Sequence, residues 1–348
     1  MLLVIRLKKI LIIFLSIVLL TGCNLKKDSN IDKLKKIGYN ENTSLYINNN
    51  LNEETINYLL THKYISSLEQ IIKNKNFKEE KLDKYIEYLN KYNFNINDLI
   101  FIVNNNYYRD SYNEKIINLM KEDYFIFDNL DRYLNYTKKN NIKDIIRDVN
   151  SNIDYNFYTN IKNTDLSKEY LMIVNKFNKL DKNYVPDNLV TIDKKYGNQL
   201  QIEKKTYEQF IKMYNDALNQ NMHLYIRSPY RSYNTQENLY NNYMKTNSKE
   251  YADKIAARAG FSEHQTGLAI DLTTPQAYLS KFENTKEFLW MKKNSYKYGF
   301  ILRYPKDKEY LTGYMYESWH YRYVGVEAAT IIYEKDLTFE EYYAYYVK

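Results

Sequence analysis

The first regular pattern beyond the N-terminus is helical. Leu82, Tyr85, Ile86 and Leu89 recur at the three- and four-residue spacing of one helix face, and short runs of this kind fill residues 31–152. The region also repeats itself loosely: INDLIFIVNNN at 96–106 matches IKDIIRDVNSN at 142–152, each after a YLN triplet at 88–90 and 133–135. IDKLKKIGYN at 31–40 likewise resembles IEYLNKYNFN at 86–95. Two readings fit: an all-α array of stacked helices acting as a spacer or binding module, or Asn- and Lys-rich drift that imitates repeats. The pattern changes across a linker at 153–167. YLMIVNKFNKLDKNYVPDNLV (170–190) reads as a strand and a Pro-Asp turn. TYEQFIKMYNDALNQN then reads as an amphipathic helix, with Tyr207, Phe210, Ile211, Tyr214 and Leu218 on one face and Thr206 and Gln209 at capping-box spacing. HLYIRS (223–228), GLAIDLT (267–273) and WHYRYVG (319–325) alternate as strands, and NTQENLYNNYMKTN (234–247), with Asn234 and Glu237 at its start, is a helix. Strands joined through helices and long loops predict an α+β domain over 168–348.

Composition refines this picture at the N-terminus. Arg6, Lys8 and Lys9 precede an apolar run from Ile10 to Leu20, which ends in Leu20-Thr21-Gly22-Cys23. A membrane span needs about 20 apolar residues, so this shorter run reads as a secretory signal at 1–22 rather than an anchor. Its ending is similar to a bacterial lipoprotein box, in which Cys23, the one cysteine of the chain, is the lipidated first residue of the mature protein. A linker over 23–30 comes after it, where Lys26 and Lys27 would sit against anionic headgroups. The expected location is extracytoplasmic, on the outer face of the bacterial membrane. The net charge of +7 is spread among Glu and Asp with no basic aromatic stripe, which argues against nucleic acid and favours an anionic membrane or wall as neighbour. At 348 residues the chain exceeds one ordinary core and implies two domains.

The chemistry gathers in three stretches. In SEHQTGLAID, Gly267 permits a tight turn into the strand, Leu268 and Ile270 point to one face, and Ala269 and Asp271 to the other. Burying an ionised aspartate costs several kcal/mol unless a cation or donors compensate, and His264 just upstream can offer a neutral imidazole to the same metal ion. Taken alone, the pair fits a capped loop with a satisfied Asp equally well. GYMYESWHYRYVG (313–325) adds His320 and Arg322 on one strand face, with Trp319, Tyr321 and Tyr323 on the other. Two His and one Asp are the three protein ligands of a catalytic zinc site, and Glu317 is by elimination the carboxylate that takes a proton from water. A strictly extended chain sends 317 and 320 to opposite faces, so a turn or bulge is expected at Glu317-Ser318. Arg231, in the strand-to-helix connection of IRSPYRSYNTQENLY, suits a carboxylate fork or carbonyl polarisation, or else is a surface arginine. His62, His223 and Arg227 read as structural.

The motifs SxYRSxxxQ, SEHQTGLAxD and ExWHxRYxG, in this order over roughly residues 168–335, resemble the VanY-type zinc D-alanyl-D-alanine carboxypeptidases, of the LAS type of peptidoglycan metallopeptidases. The resemblance implies a compact α+β fold around a small antiparallel sheet flanked by helices, with one zinc ion per chain and a peptidoglycan stem peptide as partner. It places metal ligands on His264, Asp271 and His320, the general base on Glu317, a transition-state arginine on Arg231, and substrate contacts on Ser262, Tyr230 and Gln236. Pro229 stands where the family usually has Gly, and Ser318 where Pro usually follows the Glu. The implied activity is removal of D-alanine from stem peptides by a monomeric enzyme without a covalent intermediate. The motifs leave two enzymatic alternatives open, an L,D-carboxypeptidase or an endopeptidase, because the walls that would discriminate are loops such as 273–284 and 303–316. An inactive wall-binding lipoprotein would lack a ligand or base, and all four are present.

Overall fold

The computed structural model describes residues 29–347, so the expected signal segment and Cys23 lie outside the described residues. The chain divides into two compact units, one ending at Tyr112 and one beginning at Asn113.

The first unit is all helix: Asn30–Ile37, Glu41–Asn50, Glu53–Thr61, Ser66–Ile72, Leu82–Lys91 and Ile96–Asn104. Its richness in asparagine has a structural cause. Asn40, Asn52 and Asn95 are N-caps whose side chains accept from the backbone N–H of Thr43, Thr55 and Asp98, which satisfies donors a helix start leaves open. One hydrogen-bond pattern occurs twice, in the LDKY and LDRY stretches at 82–85 and 130–133 and not in the register of the YLN triplets. Tyr85 donates through its hydroxyl to Asn104 Oδ1 at 2.6 Å, and its counterpart Tyr133, in the second unit, donates to Asn150 Oδ1 at 2.6 Å. Each hydroxyl also accepts from a backbone N–H seven residues upstream, Lys78 and Ile126 respectively.

The second unit begins with the helices Glu114–Met120, Leu130–Asn135 and Ile142–Asn150. They are tied to the C-terminal end of the same unit: the Tyr124 ring stacks on Tyr345 at 3.9 Å and its hydroxyl meets that of Tyr346 at 2.7 Å. The strands come next: β1 (Lys162–Asn163), β2 (Asn178–Lys179), β3 (Leu189–Thr191), β4 (Gln201–Glu203), β5 (Tyr225–Ser228), β6 (Ala269–Thr273), β7 (Phe300–Leu302) and β8 (His320–Tyr323). The first two form a parallel pair, β3 and β4 an antiparallel one, and the last four an antiparallel sheet in the order β5-β6-β8-β7.

β6 is central and buried along its whole length. Leu268, Ile270 and Leu272 pack toward Phe210, Met213 and Ala217 of the helix Lys204–Leu218, joined by Tyr321 and Tyr323 of β8. Each such aliphatic or aromatic side chain contributes about 1.5–3 kcal/mol by leaving water. Ile301 and Val324 pack into a second cluster with Ala328, Ala329 and Ile332 of the helix Val326–Glu334 and with Phe339. The alternation read in GLAIDLT and WHYRYVG thus sorts core from site.

Three local expectations give way. Residues 170–190 hold mostly turns and bridges around β2 instead of a continuous strand, because Asn175 spends its side chain on the N–H groups of Phe177 and Asn178. The helix after β4 starts at Lys204, since the Glu203 carboxylate caps it by accepting from Lys205 and Thr206; Thr206 lies in the first turn. The helix expected from Asn234 starts at Tyr233, capped by Ser232.

Candidate active site

The sheet register places the chemistry. Asp271 is paired directly with His320 on β8 and with Ser228 on β5, so three strands set their polar residues in one row. β5 bulges between Ile226 and Ser228, and the chain past it carries Arg231 toward the same row. His264 arrives from the other side, on a 3-10 turn Glu263–Thr266 that ends at Gly267. Gly267 has φ of +69°, and a Cβ there would lie 3.0 Å from Glu203 N, so the turn into β6 that brings His264 over the strand needs glycine. The backbone N–H of Arg231 donates to His264 O at 3.1 Å, which ties the two loops.

His264 Nε2 lies 3.4 Å from Asp271 Oδ1, and His320 Nδ1 lies 3.0 Å from the same oxygen. The other nitrogen of His264, Nδ1, donates to Pro229 O at 2.7 Å, which leaves Nε2 facing Asp271 with its lone pair. All three residues are buried, and their ligating atoms lie within 4.8 Å of one another. Burial opposes ionisation of Asp271, but His264 and His320 hold its carboxyl well below the usual carboxylate range. Burial also lowers His264, whereas the neighbouring carboxylates of Asp271 and Glu263 overcome burial at His320 and push it up to about 9. A carboxylate that draws positive charge onto an imidazole, beside a second imidazole with a free lone pair, is a donor set that fits zinc.

Glu317 precedes β8 by a turn at Ser318-Trp319, and its backbone N–H donates to Tyr304 O at 3.1 Å. This is the departure from extended chain that the spacing demanded, and it brings Glu317 Oε2 to 3.7 Å from His320 Nδ1. Burial pushes the Glu317 carboxyl up to about 8, against the pull of His320. Arg231 is held from both sides: one terminal nitrogen donates to Gln236 Oε1 at 2.6 Å, the other to Ser228 Oγ at 2.9 Å, and the latter lies 3.9 Å from Asp271 Oδ2.

These groups line the floor of a cavity of about 780 Å³. Ser262 lines it too, and so do Tyr278 and Tyr304, from the two loops expected to form its walls. Gln236 reaches the cavity but spends its amide on Arg231 and on Ala257 O. Tyr230 does not line it; the residue is half-buried, with its N–H donating to Gln201 O. Arg227 lines the cavity at its rim, while His62 and His223 lie elsewhere, His62 stacked on Tyr58.

Sequence reasoning missed Glu263. It is 1% exposed and sits beneath His320, its Oε1 accepting from Arg303 Nε at 2.8 Å and from Arg322 at 3.0 Å. Burial opposes its ionisation, but the two guanidinium groups hold its carboxyl well below the usual range. The available signal was weak: Arg303 and Arg322 stand as charges in the mainly apolar and aromatic stretches FILRY and HYRYV, whereas Glu263 lies among the polar residues SEHQT.

Comparison with known proteins adds ancestry to this geometry. The family VanY, described as D-alanyl-D-alanine carboxypeptidase, matches residues 199–326. The putative carboxypeptidase YodJ of Bacillus subtilis (strain 168) is 39% identical over 181 residues, 50% of this chain and 66% of that protein. The bifunctional D-Ala-D-Ala dipeptidase and D-Ala-D-Ala carboxypeptidase VanXYC of Enterococcus gallinarum is 33% identical over 182 residues, 50% of this chain and 94% of that protein. Among solved structures, the LdcB LD-carboxypeptidase, described with the molecular basis of peptidoglycan recognition, superimposes with a TM-score of 0.50 at 36% identity over 53% of this chain and 90% of that one. The chain spans less than two thirds of the length of several curated relatives it matches, at 66%, 57% and 36%. A family match that covers all three motif stretches, together with a relative aligned over nearly its whole length, makes this chain a member of the VanY D-alanyl-D-alanine carboxypeptidase family.

Proposed function

We propose that this chain is a zinc-dependent carboxypeptidase that removes the C-terminal D-alanine of peptidoglycan stem peptides, with one ion per chain held by His264, Asp271 and His320. The observation that carries the reading is the convergence of those three ligands with Glu317 and Arg231 on the floor of one cavity. Zinc in that position supplies Lewis acidity toward the scissile carbonyl and toward water. Glu317, with a carboxyl raised by burial, takes a proton from the attacking water and returns it to the departing amine. Arg231, fixed by Ser228 and Gln236, offers its remaining N–H groups to the oxygen on which charge develops. Ser262 and the loops bearing Tyr278 and Tyr304 hold the peptide. Purified protein should contain about one zinc per chain and release D-alanine from a synthetic pentapeptide. Full activity after thorough chelation removes the reading.

A second reading, an L,D-carboxypeptidase acting on the tetrapeptide, is favoured by the likeness to the LD-carboxypeptidase LdcB. Release from tetrapeptide but not pentapeptide selects it. We also propose that Cys23 is lipidated and tethers the enzyme as a monomer outside the membrane, where stem peptides lie; among the described residues no helix is long and apolar enough to cross a membrane. Cys23→Ser should shift the protein out of the membrane fraction, and retention of the mature form there would refute the tether.

A further inference from the structure

Behind the cavity floor lies a buried chain of charges that the reaction itself does not use. Glu263 Oε1 is occupied by Arg303 and Arg322. Its second oxygen, Oε2, has no hydrogen-bond partner, and the atom it faces is His320 Nε2, 3.5 Å away, which has none either. Two polar atoms orphaned together in a dry interior are costly unless they serve each other. The arginines are anchored in turn. Arg303 forks onto Glu340 at 2.8 and 2.6 Å, and Arg322 donates to the carbonyl oxygens of Tyr170 and Met172 at 3.0 and 2.8 Å. Both guanidinium groups lie over the Phe339 ring, at 5.4 and 5.3 Å. Glu340 and Phe339 belong to the helix Phe339–Tyr342, closed by a Thr338–Glu341 capping box.

We propose that Glu263 is a positioning residue for the zinc ligand His320, and that the helix Phe339–Tyr342 fixes it there through Arg303. The geometry assigns each atom a role. Glu263 Oε2 is the acceptor for a proton on His320 Nε2, so the lone pair of the imidazole stays on Nδ1, the nitrogen that faces Asp271. An acceptor of full negative charge also raises the basicity of that lone pair. Glu263 can do this only while its other oxygen is held, and the Arg303 fork from the C-terminal helix holds it. The side chain touches no substrate. It sits next to His264 in sequence yet serves the other histidine, 57 positions away by the numbering of the two residues.

This inference rests on the zinc reading, and its test separates the two. Zinc affinity of the full-length protein is measured by competition with a chromogenic chelator, for wild type, Glu263→Asp and the double variant Glu263→Gln/Arg322→Met. The aspartate keeps the charge beside both arginines but withdraws the carboxylate by one methylene; the double variant removes a buried charge pair together. Either folded variant should bind zinc about 10–100-fold more weakly. In wild type loaded with zinc, the His320 Nε2 proton should exchange slowly in the NMR spectrum, and it should exchange rapidly in the variants. A folded variant with unchanged zinc affinity and an unchanged Nε2 proton overturns the proposal, even if its melting temperature falls, since that pattern marks a structural ion pair only. Wild-type protein that binds no zinc overturns the parent reading instead. If the double variant does not fold, Glu263→Asp decides alone; misfolding of both, with Glu340→Gln folded and unchanged in zinc affinity, likewise overturns the proposal.

Discussion

Glu317 illustrates how one side chain can be expensive in the folded protein and still be kept. Its carboxyl is raised to about 8 by burial, against about 4.3 in an unfolded chain. Between those values the folded metal-free protein binds more protons than the unfolded one, so this group makes stability fall as pH rises through that window. Glu317→Gln removes the titration. The metal-free variant should match wild type near pH 5 and exceed it at pH 8 by on the order of a few kcal/mol, read from urea unfolding midpoints. A difference that does not vary with pH would show that Glu317 is not the titrating group. His320, raised to about 9, adds a decline of the same sign, and because the Glu317 charge contributes to that rise the variant loses part of this decline as well.

At the scale of elements, the turn that delivers His264 is the most sensitive joint. Replacing Gly267 by Ala forces a side chain into the left-handed region and against Glu203 N at 3.0 Å and Leu189 Cδ2 at 3.2 Å. The expected loss is about 1–3 kcal/mol of stability, with weaker zinc binding if the proposed site holds zinc, checked by calorimetry and zinc titration; a melting curve superimposable on wild type contradicts it. Sequence alone had made much of this scale legible, and for a physical reason. β5, β6 and β8 were readable because each puts one face into the core, and alternation records that directly. β7, three residues of unbroken hydrophobicity in FIL, carries no alternation and was not read. Helix starts were displaced because the cap was chosen by competition: Glu203 lies nearer the first open N–H groups than Thr206 does. The three candidate ligands were legible as residue types in motifs, but their meeting was not, since it depends on β6 and β8 pairing across 49 positions. Glu263 was hidden for the same reason, its arginine partners lying 40 and 59 positions downstream.

For the whole molecule, the composition change at 153–167 and the packing point to different cuts. A chain beginning at Asn113 keeps the turn that carries Tyr124 and the helix that carries Arg147, whereas one beginning at 153 loses the Tyr124–Tyr345 stack and the Arg147 guanidinium over Tyr310. Both truncations retain every site residue. The longer one should melt close to full length, and the shorter one should melt lower, by about 2–4 °C for each kcal/mol of lost packing; equal melting temperatures would place the functional boundary at 153 after all. The direct pairing of Asp271 with His320 has a consequence for how the sheet is assembled. Neighbouring strands that slide by one position turn every side chain to the opposite face, which here would drive a carboxylate into the layer of Phe210 and Met213 and point Ile270 at the cavity. If zinc binds as proposed, a misaligned sheet has no place for it, and zinc present while the chain folds would reward one alignment alone. The proposed metal site would then double as a proofreader of its own scaffold.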